Sequence, residues 1–156
     1  MVAYHIFTEK IKIPKEMKTG VESIIKEHTD AFLQTVFDFD EDILEYMDLS
    51  EESISILDEI IDAWSGEDGP SEDGRILFFK VFGGYIASIM QKHFNGRWWH
   101  DGSEAVFLLY NGKVQTGIGL TPYSYVVRRL DGDETFAEQW EDQEPLVDKS
   151  RLKIQT

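Results

Sequence analysis

Two dipeptides, Asp101-Gly102 and Asn111-Gly112, constrain the fold of this chain more than any other feature of its sequence. An Asx-Gly pair is a preferred centre for a two-residue type I′ turn, because both residues tolerate positive φ and the turn's twist matches that of the strands it joins. Around the pairs run "GRWWH", "SEAVFLLY" and "KVQTGI", rich in aromatic and β-branched residues. The pattern predicts a three-stranded antiparallel meander over 97–100, 103–110 and 113–118. With those turns Leu109 faces Val114 and Trp98 faces Ala105, so Trp98, Ala105, Phe107, Leu109, Val114 and Ile118 share one side of the sheet. Trp99 then lies on the other side with Glu104, Val106, Leu108 and Tyr110, since side chains alternate along a strand.

The rest of the chain reads as helix, which makes the fold class α+β. From Pro14 to Phe39 the apolar residues Met17, Val21, Ile24, Ile25, Phe32, Val36 and Phe39 recur at helical spacing, with Gly20 the weak point. "DEDILEYM" predicts a short helix, and Ser50 the N-cap of a clearer one with Ile54, Leu57, Ile61 and Trp64 as its buried stripe. "RILFFKVFGGYIASIMQKHF", from Arg75, is apolar nearly all round and predicts a central buried helix ended by a left-handed cap at Asn95 or Gly96. Gly83 and Gly84 inside it should cost about 1 kcal/mol each relative to Ala unless a neighbouring element approaches closely there. Thr121-Pro122 starts a further helix, and Phe136 and Trp140 anchor a short turn after it. The architecture expected is therefore N-terminal helices and a central helix packed on the meander, then a C-terminal helix, in a single domain over 1–156. The opening "YHIFTEKIKIP", from Tyr4, with a weak alternation at Ile11 and Ile13, suggests a short strand. The stretch from about 65 to 74 reads as a mobile acidic loop, and the chain beyond about 144 as a loose tail.

Charge is distributed unevenly. The formal net charge is −15, from 30 acids against 15 Lys and Arg. Fifteen of those acids lie between Asp38 and Gly74, a segment with no Lys or Arg, so the remaining chain is balanced. Glu51, Asp58 and Asp62, flanked by Glu52 and Glu59, lie opposite the apolar stripe of the predicted helix, and Glu41, Glu45 and Asp48 form a similar row before it. Such an excess opposes binding to a nucleic-acid backbone and favours a basic partner. These eight acids are the first candidate partner-binding residues; Trp99, Leu108 and Tyr110, on the second face of the sheet, are the next.

Readable catalytic chemistry is missing. The chain has no cysteine, which excludes disulfides, thiolate metal sites and cysteine nucleophiles. It carries no hydrolase elbow, phosphate loop or zincin pair. "DFDEDILEYMDL" has acids at the first, third and fifth positions of a calcium loop, but Ile43 replaces its glycine and Leu49 its closing glutamate. His5, His28, His93 and His100 lack metal-ligand spacing, and Asp101 beside His100 is a turn residue. No catalytic residue, metal or cofactor is assigned. The N-terminus lacks the layout of a secretory signal and no long apolar run follows, so a cytoplasmic protein without a membrane span is expected.

The succession "LSEESISILDEII", an acidic loop, "FGGYIASIM", "GRWW" and a hairpin resembles a group of small uncharacterised bacterial proteins, some of them associated with toxin–immunity loci. The likeness covers roughly residues 45–130. It implies a cytoplasmic protein that binds and blocks a toxic enzyme, with no catalytic residues. A nuclease-like toxin suits the charge, since it must itself be basic to hold phosphates. Two alternatives are a small enzyme working in a carboxylate-containing cleft between the central helix and the sheet, and a housekeeping interaction module whose charge keeps it soluble.

Overall fold

The computed structural model describes residues 4–132 and 134–151. The fold is α+β, with an antiparallel sheet of four strands in the order β1-β4-β3-β2. The strands are β1 (Tyr4–Ile6), β2 (Gly96–His100), β3 (Ala105–Asn111) and β4 (Val114–Leu120). Six helices accompany them: α1 (Lys15–Phe39), α2 (Glu41–Leu44), α3 (Ser53–Ser65), α4 (Glu72–His93), α5 (Pro122–Leu130) and α6 (Phe136–Val147). A 3-10 turn at Asp148–Ser150 follows α6.

The expected three-stranded meander gains a fourth strand from the opening stretch, at Tyr4–Ile6 rather than at Ile11 and Ile13. Tyr4, His5 and Ile6 pair with Leu120, Gly119 and Ile118, a contact across more than a hundred residues that three amino acids cannot announce. Ile11 and Ile13 belong to no strand. They pack with Phe7 and Trp99 over Val106, Leu108 and Tyr110, forming a second, smaller core on the outer face of the sheet. The Gln115 side chain holds this strap: its amide donates to Ile11 O at 2.7 Å and accepts from Ile11 N at 2.9 Å, as a strand neighbour would.

The first hairpin has a longer loop than its turn dipeptide suggests, and the second keeps a two-residue loop displaced by one residue. His100 pairs with Ala105, so four residues form the first loop. Asp101 closes it, accepting from Ser103 N and Glu104 N, both at 2.8 Å, and these N–H groups hold its carboxyl below the usual carboxylate range. In the second hairpin Asn111 pairs with Val114, which puts Gly112 (φ 64°) at the first central position, the arrangement of a II′ turn. Each change moves the register beside its turn by two residues, and an irregularity between Leu108 and Tyr110 moves the β3–β4 register by two more, so that Phe107 faces Leu120; even-numbered shifts keep side chains on their faces. Trp98, Ala105, Phe107 and Leu109 therefore lie in the main core and Trp99 on the other side. Val114 is the exception: it sits at the hairpin tip and is 70% exposed.

α1, α4 and α5 cover the inner face. Val21, Ile25, Phe32 and Val36 of α1 are buried, but Ile24 and Phe39, at the same spacing, are about half exposed. α4 is buried on all sides from Val81 to Ala87, whereas its first turns leave Ile76, Leu77 and Phe79 at the surface. Its two interior glycines admit two different neighbours. A Cβ on Gly83 would stand 2.2 Å from the Tyr123 ring, and one on Gly84 2.3 Å from His28 Cβ. Close approach of α5 and α1 thus accounts for both.

Several helix ends differ from expectation. α3 starts at Ser53, and Ser50 instead closes the preceding turn by accepting from Ser53 N at 3.3 Å. α4 starts at Glu72, capped by Ser71 Oγ, so residues 72–74 are helix and not loop. It ends at Phe94 in extended conformation (φ −115°), without a left-handed cap. Gly96 is needed for another reason: a Cβ there would lie 2.6 Å from the Phe107 ring. The stretch after residue 144 is ordered secondary structure as far as Ser150, and Arg151 bridges to Phe94. Residues 152–156 of the expected loose tail lie outside the described residues.

Candidate binding surface

The eight candidate acids separate into two groups. Asp58, with only 16% of its side chain exposed, accepts from Arg129 Nε at 2.8 Å and from the backbone N–H of Phe136 and Ala137 at 2.9 and 3.0 Å. It thereby anchors the free N–H groups at the start of α6, where the helix dipole also favours a negative charge. Asp62 binds the same guanidinium at 2.6 Å. Glu51 accepts from Arg151 Nη1 at 2.8 Å and from Trp140 Nε1 at 3.0 Å, and Arg151 also bridges Glu144. Burial works against Arg129 and Arg151, but the carboxylate hydrogen bonds prevail and raise both guanidinium pKa values above the ordinary one. Glu51, Asp58 and Asp62 therefore bind the C-terminal segment of their own chain.

The second group remains available. Glu41, Glu45, Glu52 and Glu59 are exposed and make no ion pair among the described residues. Asp48 is exposed too, and hydrogen bonds from Ser50 hold its carboxyl below the usual range.

Beside these acids lies an apolar groove, which sequence reasoning missed. Phe39 at the end of α1, Ile43 and Tyr46 of the α2 turn, and Ile56, Ile60 and Ala63 of α3 line a space of about 490 Å³, with Glu59 at its rim. Phe39 and Tyr46 are 55% and 57% exposed. Of the unpaired acids, Glu59 lines the groove between Ile56 and Ala63, and Glu52, seven residues earlier, is the residue before α3. Glu41 and Glu45 belong to the same short segment as Ile43 and Tyr46. The signal lay in the sequence: Phe39 ends its helix just before Asp40, too late in the stripe to reach the core.

The second-choice face is closed. Leu108 and Tyr110 are 2% and 8% exposed beneath residues 7–13, and Trp99 packs edge-on against Phe7 at 5.8 Å. Those three residues consolidate the sheet and offer no open surface.

A cleft between α4 and the sheet does exist, and Glu104 lines it. Both of its carboxylate oxygens are engaged, one with His5 Nε2 at 3.2 Å and the other accepting from Ser124 Oγ at 2.7 Å. Beyond Glu104 the polar groups of the cleft are His28, His100, Ser103 and Tyr123; Ser103 Oγ donates to Asp101, and His28 Nδ1 is hydrogen-bonded to the Tyr123 hydroxyl at 2.7 Å. No group of three or more metal-ligating side chains gathers among the described residues, and no helix is long and apolar enough to cross a membrane.

Comparison with family models, curated proteins and solved structures finds no match to this chain. The fold and the chemistry of its surface are therefore the grounds on which a function is assigned.

Proposed function

We propose that this chain is a non-catalytic cytoplasmic binding protein that engages a basic protein partner through the groove between α1, α2 and α3, as an immunity protein engages a toxin. The supporting observation is the combination of two exposed aromatics, Phe39 and Tyr46, with an apolar groove lined by Glu59, and three further unpaired carboxylates, Glu41, Glu45 and Glu52, in the segments that form it. Aromatic side chains in a desolvated pocket carry much of the energy of a protein interface, and a charged rim sets encounter rate and partner choice. A basic, nuclease-like enzyme has the complementary charge, because its own substrate contacts require Lys and Arg. The acids paired with Arg129 and Arg151 support the groove by tying α3 and the turn before it to α5, to the start of α6 and to Arg151.

The test is neutralisation of the toxic product of an adjacent gene, with growth of the producing cell as readout. Tyr46→Ala and a Glu41→Lys/Glu45→Lys/Glu52→Lys/Glu59→Lys variant should each lose protection while remaining folded. Full protection by both variants would rule this groove out as the partner site.

A further inference from the structure

The cleft lined by Glu104 has a shape and chemistry of its own. Ile24 and Ile25 of α1, Phe79 of α4 and Ala105 of β3 form its apolar walls, and its volume is about 150 Å³. An apolar cavity of about that size accepts a single benzene-sized ring. His28 and Tyr123 stand at one side with their rings edge to face at 5.7 Å, joined by a 2.7 Å hydrogen bond between Nδ1 and the Tyr123 hydroxyl.

That bond leaves His28 Nε2 without a hydrogen-bond partner among the described residues. Two interior glycines of α4 give up their side chains at the places where Tyr123 and His28 stand. The pair is therefore built into the fold at a cost to the helix. Holding α1 to α5 accounts for the Nδ1 bond, and Nε2 is not sealed from solvent, so a molecule entering the cleft can reach it.

We infer that this cleft binds a small uncharged single-ring compound carrying one hydroxyl, a phenol in chemical class, with its ring between Ile24, Ile25, Phe79 and Ala105 and its hydroxyl on His28 Nε2. A hydroxyl both donates and accepts, so it suits either tautomer that the Tyr123 bond selects. Anionic ligands are disfavoured. No Lys or Arg lines the cleft, Glu104 does, and the chain carries a net charge of −15. The site is separate from the groove of α1, α2 and α3, with no lining residue in common.

Phenol itself is the probe, titrated into the full chain while the His28 imidazole and the methyl groups of Val21, Ile24 and Ile25 are followed by NMR, with toluene as the ring lacking a hydroxyl. Saturable shifts confined to these residues are expected with both compounds. His28→Phe should weaken phenol about three- to tenfold, the worth of one hydrogen bond, and leave toluene unchanged. Ile24→Trp, a change at a half-exposed position on the cleft wall, should abolish binding of both. Non-saturable or scattered shifts would overturn the assignment, as would equal phenol affinity in wild type and His28→Phe. If His28→Phe does not fold, Ile24→Trp decides alone, and phenol binding that survives it overturns the site.

Discussion

Two glycines in helices show how neighbours set the value of a residue. Gly20 of α1 has nothing within 4 Å of where a Cβ would lie, so Gly20→Ala should stabilise the protein by about 0.5–1 kcal/mol. Gly84→Ala would drive a methyl into His28 Cβ and to within 3.2 Å of the α1 backbone, which cannot turn aside as a side chain can; a loss of about 1–3 kcal/mol is expected. Urea denaturation of the two variants checks both signs. The contrast was only partly legible, since sequence identifies a glycine that needs a neighbour but not which neighbour it has. His28 gives a pH-dependent counterpart. Burial, assisted by Lys80 and opposed by Glu27, holds its imidazole below the ordinary histidine value. The unfolded chain therefore takes up the proton first, so His28 contributes stability above about pH 6.5 that is lost as the pH falls below it. In His28→Phe the change in urea midpoint between pH 7.5 and 5.5 should be smaller than in wild type.

At the scale of elements, β3 was legible and its surroundings were not. Alternation fixed which side chains of 105–110 share a face, and that assignment survived one longer loop, one displaced turn and an irregular ladder because each moved the register by an even number of residues. Trp98 is 1% exposed, packs on Phe107 at 4.7 Å and donates to Gln91 at 2.8 Å. Trp98→Ala should cost about 3–5 kcal/mol by thermal denaturation, and Trp99→Ala, half-buried under the strap, clearly less. The acidic helix α3 was legible as a helix, but not in what its acids touch. Arg129 and Arg151 lie 71 and 100 residues from Asp58 and Glu51, so their pairing depends on how α5 and α6 return to α3. Asp58→Ala removes a charged acceptor from Arg129 and from two N–H groups of α6. It should cost about 2–3 kcal/mol, whereas Glu59→Ala on the exposed face should change stability by less than about 0.5 kcal/mol.

For the molecule as a whole, the fold divides its excess charge into acids that hold the chain together and acids that face outward. Glu51, Asp58 and Asp62 meet the guanidiniums of the C-terminal third, whereas Glu41, Glu45, Glu52 and Glu59 are exposed, and Glu59 lines an apolar groove with two exposed aromatics. Charge count alone treats both sets alike, which is why sequence reasoning grouped them. Exposed charges act on an approaching partner over about 8–10 Å near physiological ionic strength, and less as salt is raised. The decisive measurement is the association rate with the basic product of the adjacent gene, at low and high salt, for wild type and for the Glu41→Lys/Glu45→Lys/Glu52→Lys/Glu59→Lys variant, with unfolding followed alongside. The expected result is a wild-type rate that falls steeply with salt, and a folded variant that associates more slowly at low salt and responds little to salt. A folded variant that matches the wild-type rate at both salt concentrations would contradict the assignment of this groove as the partner site.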